Sequence, residues 1–235
     1  MSEPLLQTSG LVRAWGPQRV IDGLDLTVMR GQIYGFLGRN GAGKTTLIKM
    51  LLGILAPDAG TITLEGHRVR RVTPAMRARI GYVAQEQHFY DWMDARALGR
   101  FVGGFYPSWS PTAYARALER LVVPERRPAG QLSGGTRMKL AIALAIGAEP
   151  ALLVLDEPTA GVDPVTRREV LDLLGALRDE GRTVLFSTHY VAEIEAVGDV
   201  VGVLHGGKLL YQGPPDGMRA DGGTLEDAFV AMVRT

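Results

Sequence analysis

Nine consecutive residues constrain this chain more than any other feature: Gly38, Arg39, Asn40, Gly41, Ala42, Gly43, Lys44, Thr45 and Thr46. They match G-x-x-x-x-G-K-S/T, and they stand between a β-rich run, Gln32 to Leu37, and a helical stretch, Thr45 to Leu52. Strand, glycine-rich loop and helix in that order is the setting in which such a loop binds phosphate. Glycines let the backbone curl until its N–H groups converge on one anion, and the helix start adds the positive end of its dipole. Lys44 is placed to bridge terminal phosphates and Thr45 to ligate Mg2+ through its hydroxyl. All nine are candidate nucleotide-binding residues.

The remaining sequence repeats the strand-helix alternation of a parallel sheet. Two β-rich runs, Leu24 to Val28 and Gln32 to Leu37, flank the turn Met29-Arg30-Gly31; a strand from Thr61 to Gly66 follows the turn at 57–60, and Ile80 to Val83 is another short strand. From about Asp94 to Glu125 the periodicity is helical, broken at Tyr106 to Pro111, where Ser110 is placed to cap a helix beginning at Pro111. A helix after Leu132-Ser133-Gly134-Gly135 runs to about Gly147, and the apolar run Ala151 to Leu155 has the composition of a buried parallel strand. Helix 164–180, strand 183–186, helix 190–197, a hairpin of Val200–Leu204 with Lys208–Tyr211, and a final amphipathic helix Leu225–Val233 complete the pattern. The 235 residues suit one α/β domain with an inserted helical part.

Charge narrows the partners: 26 Lys and Arg stand against 25 Asp and Glu, so no nucleic-acid partner is expected. The absence of cysteine excludes disulfides and fits a reducing cytoplasm. The N-terminal residues lack the basic start and apolar core of a secretory signal. The longest apolar tract, Leu140 to Leu155, is interrupted by Gly147, Glu149 and Pro150, which predicts no bilayer-spanning helix.

The strand Leu152 to Leu155 ends in Asp156-Glu157, which projects two acids at the carboxyl edge of a parallel sheet, where ligand crevices of α/β proteins lie. Asp156 is the candidate Mg2+ partner, directly or through water. Glu157 is the candidate base for an attacking water, a role worth about 10²–10⁴-fold in rate. Ser133, Gly134 and Gly135 open a second helix with small residues, a second backbone cradle for an anion.

Leu132-Ser133-Gly134-Gly135 lying before Asp156-Glu157-Pro158-Thr159 resembles the signature of ATP-binding-cassette (ABC) ATPases, and the resemblance covers essentially the whole chain. It implies a P-loop NTPase core with a parallel sheet, an N-terminal antiparallel β subdomain and an inserted α-helical subdomain. Residues 1–86 and 148–235 would form the catalytic lobe, and 87–147 the helical subdomain with the signature. Trp15 matches the aromatic position that stacks on adenine, Gln85 the glutamine of the lobe-joining loop that contacts Mg2+ and the attacking water, and His189 the switch histidine. Glu157, His189 and Gln85 are thus the expected catalytic set, and Thr45, Gln85 and Asp156 the expected metal set. The segment 160–163 corresponds to the loop after the catalytic acid. The signature tip would meet the γ-phosphate of an ATP held by a partner's loop, giving a head-to-tail homo- or heterodimer around two Mg-ATP. Two positions depart from the family: Thr136 replaces the usual Gln or Glu, with an expected loss of contact to the partner's ribose, and Trp15 replaces the commoner tyrosine.

Three functions are consistent with this resemblance: the ATPase subunit of a transporter, a cassette acting on ribosomes or DNA, and a nucleotide-regulated module with little turnover. One cassette with a compact insert favours the first, and the presence of both Glu157 and His189 disfavours the third. The segments 105–109, 138–141 and 225–229 resemble the export-type branch, and an ending at the last helix suggests no extended regulatory domain. The expected location is the cytoplasmic face of the membrane, beside an integral permease subunit. Phe89, Tyr90, Asp91 and Trp92 either pack internally or line a groove for a short helix of that subunit.

Overall fold

A computed structural model describes residues 3–69, 73–219 and 223–234. The chain starts with a long antiparallel hairpin of β1 (Pro4–Trp15) and β2 (Gln18–Met29), followed by β3 (Ile33–Leu37), the glycine-rich loop and α1 (Lys44–Leu51). Next come β4 (Ala59–Leu64), β5 (His67–Val69), the one-turn α2 (Pro74–Arg77) and β6 (Ile80–Val83). Three helices follow before the chain returns to sheet: α3 (Ala95–Gly103), α4 (Pro111–Arg120) and α5 (Gly134–Gly147). The closing run is β7 (Leu152–Asp156), α6 (Pro164–Asp179), β8 (Thr183–Thr188), α7 (Val191–Val197), β9 (Val200–His205), β10 (Lys208–Gly213), α8 (Pro215–Met218) and α9 (Leu225–Arg234).

These strands form two sheets. The first is antiparallel, in the order β2-β1-β4-β5. The second has the order β10-β9-β3-β8-β7-β6; its strands run parallel except for β10, which pairs antiparallel with β9 at one edge. The expected α/β class, the parallel core and the additional antiparallel sheet are all present.

Side chains of the central strands alternate between two cores, one on each face of the parallel sheet. Ile33, Leu153, Leu155, Val184 and Phe186 join the helices α3–α7 and α9, whereas Tyr34, Phe36, Leu152, Val154 and Leu185 join α1 and the antiparallel sheet. Strands buried on both faces are near-continuously apolar, which is why β3 and residues 152–155 of β7 read as unbroken apolar runs. Each such side chain contributes about 1.5–3 kcal/mol by leaving water. Two glycines permit the closest approaches: a Cβ at Gly35 would stand 2.1 Å from Ile194 Cδ1 on α7, and one at Gly202 2.1 Å from the Tyr34 hydroxyl. The buried Tyr34 hydroxyl donates to Gln212 Oε1 at 3.1 Å, and burial pushes its pKa well above that of a free phenol.

Helices α3–α6 begin on side-chain caps. Asp94, Ser110, Ser133 and Asp163 each accept hydrogen bonds from first-turn N–H groups, and Ser110 and Pro111 sit where the sequence placed them. Because β3, β6, β7 and β8 run parallel, the segments after their last residues emerge along one edge of the sheet. Those segments carry the glycine-rich loop, Gln85, Glu157 and His189.

Candidate active site

An open cleft of about 430 Å³ lies at that edge, lined by Val20, Asn40, Gly41, Gly43, Lys44, Thr45, Thr46, Gln85 and Glu157. Its floor is the start of α1, which differs from α3–α6 in one respect. Its N-cap, Gly43, supplies no side-chain bond. The positive helix end is therefore left for an external anion. The loop backbone permits only glycine at its tightest points: Gly43 has φ 107 and a Cβ there would stand 2.8 Å from Val20 O, while Gly41 has φ 81. At Gly38 a Cβ would meet Leu204 O at 2.8 Å.

Lys44 is 5% exposed, and its ammonium donates to Gly38 O at 2.7 Å and Arg39 O at 3.3 Å. Across the cleft, Glu157 Oε1 lies 3.1 Å from Lys44 Nζ. Glu157 adopts a left-handed backbone, φ 47, directly after β7, and its carboxylate is buried. A non-glycine residue in that region carries strain, and such strain gathers where a side chain must be aimed. The second carboxylate oxygen, Oε2, lies 3.2 Å from His189 Nδ1, although the pair lacks hydrogen-bond alignment. The structure thus brings Lys44, Glu157 and His189 into direct apposition.

Asp156 sits behind this group, 1% exposed, and accepts from the Ser187 hydroxyl at 2.6 Å. Ser187 in turn accepts from the Glu157 N–H at 2.9 Å, so one hydroxyl ties both acids to β8. The sequence reading missed Ser187. Its signal was present in the polar end of β8, but its pairing opposite Asp156 depends on strand register.

Other expected residues lie elsewhere. Trp15, at the end of β1, is 53% exposed with the Arg13 guanidinium 4.2 Å from its ring centre, and it does not line the cleft. The tip of α5 also stands outside the cleft. Ser133 and Gly134 are exposed, Ser133 caps its own helix through the Thr136 N–H at 3.2 Å, and the two hydroxyls lie 2.9 Å apart. Thr136 is thereby engaged within its own turn. Gly135 packs on α6, where a Cβ would stand 3.0 Å from Thr166.

The residues 89–92 divide. Phe89 is half-buried against the core below the Arg137 guanidinium, whereas Tyr90 and Trp92 are exposed and continue with Phe101 and Phe105 into an aromatic shelf. Its ring centres are spaced 5.3–6.0 Å apart. Among the described residues no helix is long and apolar enough to cross a membrane.

The donor set suits a magnesium nucleotide. A glycine cradle, an uncapped helix start and a buried lysine answer to phosphate, and the hydroxyl of Thr45 and amide oxygen of Gln85 in the cleft, with the Asp156 carboxylate buried outside its lining, are hard oxygens of the kind Mg2+ takes directly or through water.

Comparison with known proteins places the chain among similar sequences and folds. A family model described as "ABC transporter" matches residues 21–160. The chain is 38% identical over 228 residues to a daunorubicin resistance ATP-binding protein of Streptomyces coeruleorubidus, covering 95% of this chain and 72% of that one. It is 37% identical over 225 residues to Nod factor export ATP-binding protein I of Ralstonia nicotianae, covering 91% and 68%. A solved structure of the ATP-binding subunit of an ABC transporter superposes with a TM-score of 0.87 at 27% identity, covering 97% of this chain and 99% of that one.

Proposed function

We propose, because this chain belongs to the ABC transporter family, that it is the ATP-hydrolysing subunit of an exporter and drives a separate membrane permease. The observation that carries the catalytic part is the apposition of Lys44, Glu157 and His189 at the mouth of an uncapped, glycine-lined helix start. Export is supported by relatives named for drug resistance and Nod factor export.

In this reading ATP is the substrate, held by the backbone of Gly38 to Thr46 with Lys44 on its terminal phosphates and Trp15 against adenine. Thr45, Gln85 and Asp156 would hold Mg2+, which would supply charge neutralisation on the phosphates. Glu157 polarises the attacking water, and His189 and Gln85 align it with the γ-phosphate. Because phosphoryl transfer needs little covalent help from protein, position and charge supply most of the acceleration. The exposed tip formed by Ser133, Gly134 and Gly135 completes the site of a second cassette, identical or closely related, so turnover requires a head-to-tail pair.

Residues 1–86 and 148–235 form the catalytic lobe with its β subdomain, and 87–147 the helical subdomain. The shelf of Tyr90, Trp92, Phe101 and Phe105 adjoins Gln85 in sequence and receives a segment of the permease, which puts the chain on the cytoplasmic face of the membrane.

ATP turnover and calorimetric Mg-ATP binding by wild type, E157Q and K44A test the proposal. E157Q should bind Mg-ATP and lose about 10²–10⁴-fold in kcat. K44A should lose binding itself. Equal turnover by E157Q and wild type would remove Glu157 from the chemistry, and unchanged binding by K44A would remove the loop.

A further inference from the structure

Glu193, on α7, is 2% exposed and has no part in the chemistry above. Its carboxylate takes two hydroxyl donors from two different strand ends. Thr159 donates to Oε1 at 2.6 Å and Thr188 donates to Oε2 at 2.7 Å, and both threonines are 1% exposed. Thr159 stands two residues after Glu157; Thr188 immediately precedes His189. The Thr188 hydroxyl also accepts from the Tyr190 N–H at 3.0 Å, which fixes the backbone on the far side of His189. Arg167 is the charged partner: its Nε lies 3.5 Å from Oε1, and its guanidinium lies 4.5 Å from the centre of the Tyr190 ring, itself 4.0 Å from that of His189.

A buried carboxylate is costly unless its oxygens are occupied, and its loss leaves the partners unsatisfied in turn. Here the groups that occupy it belong to the two segments that must stay in register for Glu157 and His189 to remain 3.2 Å apart. We propose that Glu193 is a positioning residue for ATP hydrolysis, bridging Thr159 and Thr188 so that the Glu157 and His189 segments hold one relative placement. The inference rests on the catalytic reading of those two residues given above.

A simple structural anchor would alter stability, or binding and turnover alike. A positioning residue moves kcat alone and is rescued by a side chain that preserves the bridge. Turnover, Mg-ATP affinity and thermal melting are therefore measured for wild type, E157Q, E193A and E193Q. Folded E193A should bind Mg-ATP within about threefold of wild type and lose about 10²-fold in kcat, as expected for misplaced catalytic groups. E193Q, whose amide meets both hydroxyls, should recover to within about threefold of wild type. A folded E193A with nearly wild-type kcat overturns the proposal, as does a loss carried entirely by KM, or an E193Q as slow as E193A. Should E193A fail to fold, T159V and T159S carry the same test: slow T159V with T159S restored supports the bridge, and wild-type kcat in T159V overturns it. Wild-type turnover by E157Q would sink the catalytic reading itself. Slow E157Q beside an unimpaired E193A would sink only the role of Glu193.

Discussion

Glu65 shows how much a single side chain ties together in this protein. It follows β4 with a left-handed backbone, φ 49, and its carboxylate receives Arg79 through two bonds, at 2.7 and 2.9 Å, and Arg30 at 3.2 Å. These contacts stitch the antiparallel sheet to the lead-in of β6 and to the turn before β3. The Arg79 guanidinium, more than that of Arg30, lowers the Glu65 pKa from 4.5 to about 2, against the opposing effect of burial. A carboxylate with a depressed native pKa stabilises the fold above its unfolded value, and that support is lost as pH falls through the native one. Thermal melting of wild type should consequently drop more steeply between pH 4.5 and about 2 than that of E65Q. Parallel profiles would show that the cluster does not stabilise the fold. Nothing in the sequence around Glu65 announces this role, because its partners lie 14 and 35 residues away. Lys44 and Glu157 were legible by contrast, since each sits in a short motif whose chemistry is local.

At the level of single elements, legibility followed periodicity and caps. Ser110 accepts from the Ala113 N–H at 3.1 Å, while its own N–H donates to Gly147 O at 2.7 Å, so one residue starts α4 and joins it to the end of α5. S110A should cost about 1 kcal/mol in urea unfolding, with Mg-ATP binding unchanged. A loss below a few tenths would mean that water replaces the cap. The buried strands β3 and β7 and the capped helices α4 and α5 could be read from the residues because local composition and packing agree there. The twelve residues of β1 could not. Their pairing with β2 shifts register repeatedly between Pro4 and Ala14, and Gly10 and Gly23 take positive φ, so inward and outward positions do not alternate. Period two is the signal a strand gives in sequence, and bulges erase it. Parts of β2 and β4 are legible as the β-rich runs 24–28 and 61–66, but only the family resemblance joins them in an antiparallel sheet. Residues 89–92 likewise form one cluster in sequence, whereas a turn leaves Phe89 against the core and Tyr90 and Trp92 in solvent.

For the whole molecule, the glycine-rich loop and the α5 tip are separate features of one chain: the exposed tip of α5 does not line the cleft that holds Lys44. If each site needs a loop from one copy and a tip from the other, two differently damaged copies should repair each other. Gly134 suits the test, since nothing beyond its own helix turn lies within 4 Å of a Cβ built there, so G134D can fold while setting a carboxylate on the tip. K44A and G134D should each be inactive alone, and their equimolar mixture should regain about a quarter of wild-type turnover, because half the pairs are mixed and each has one intact site. A mixture no more active than its components would argue against sites shared between copies. The unfinished first turn of α1 has a quieter consequence. An incoming nucleotide completes that helix, making fuel a piece of the architecture for as long as it stays bound. Spent and unspent nucleotide alike bring inner phosphates to the gap, so the two differ chiefly in the outermost group, the one that the proposed pairing sets against the other copy's α5 tip.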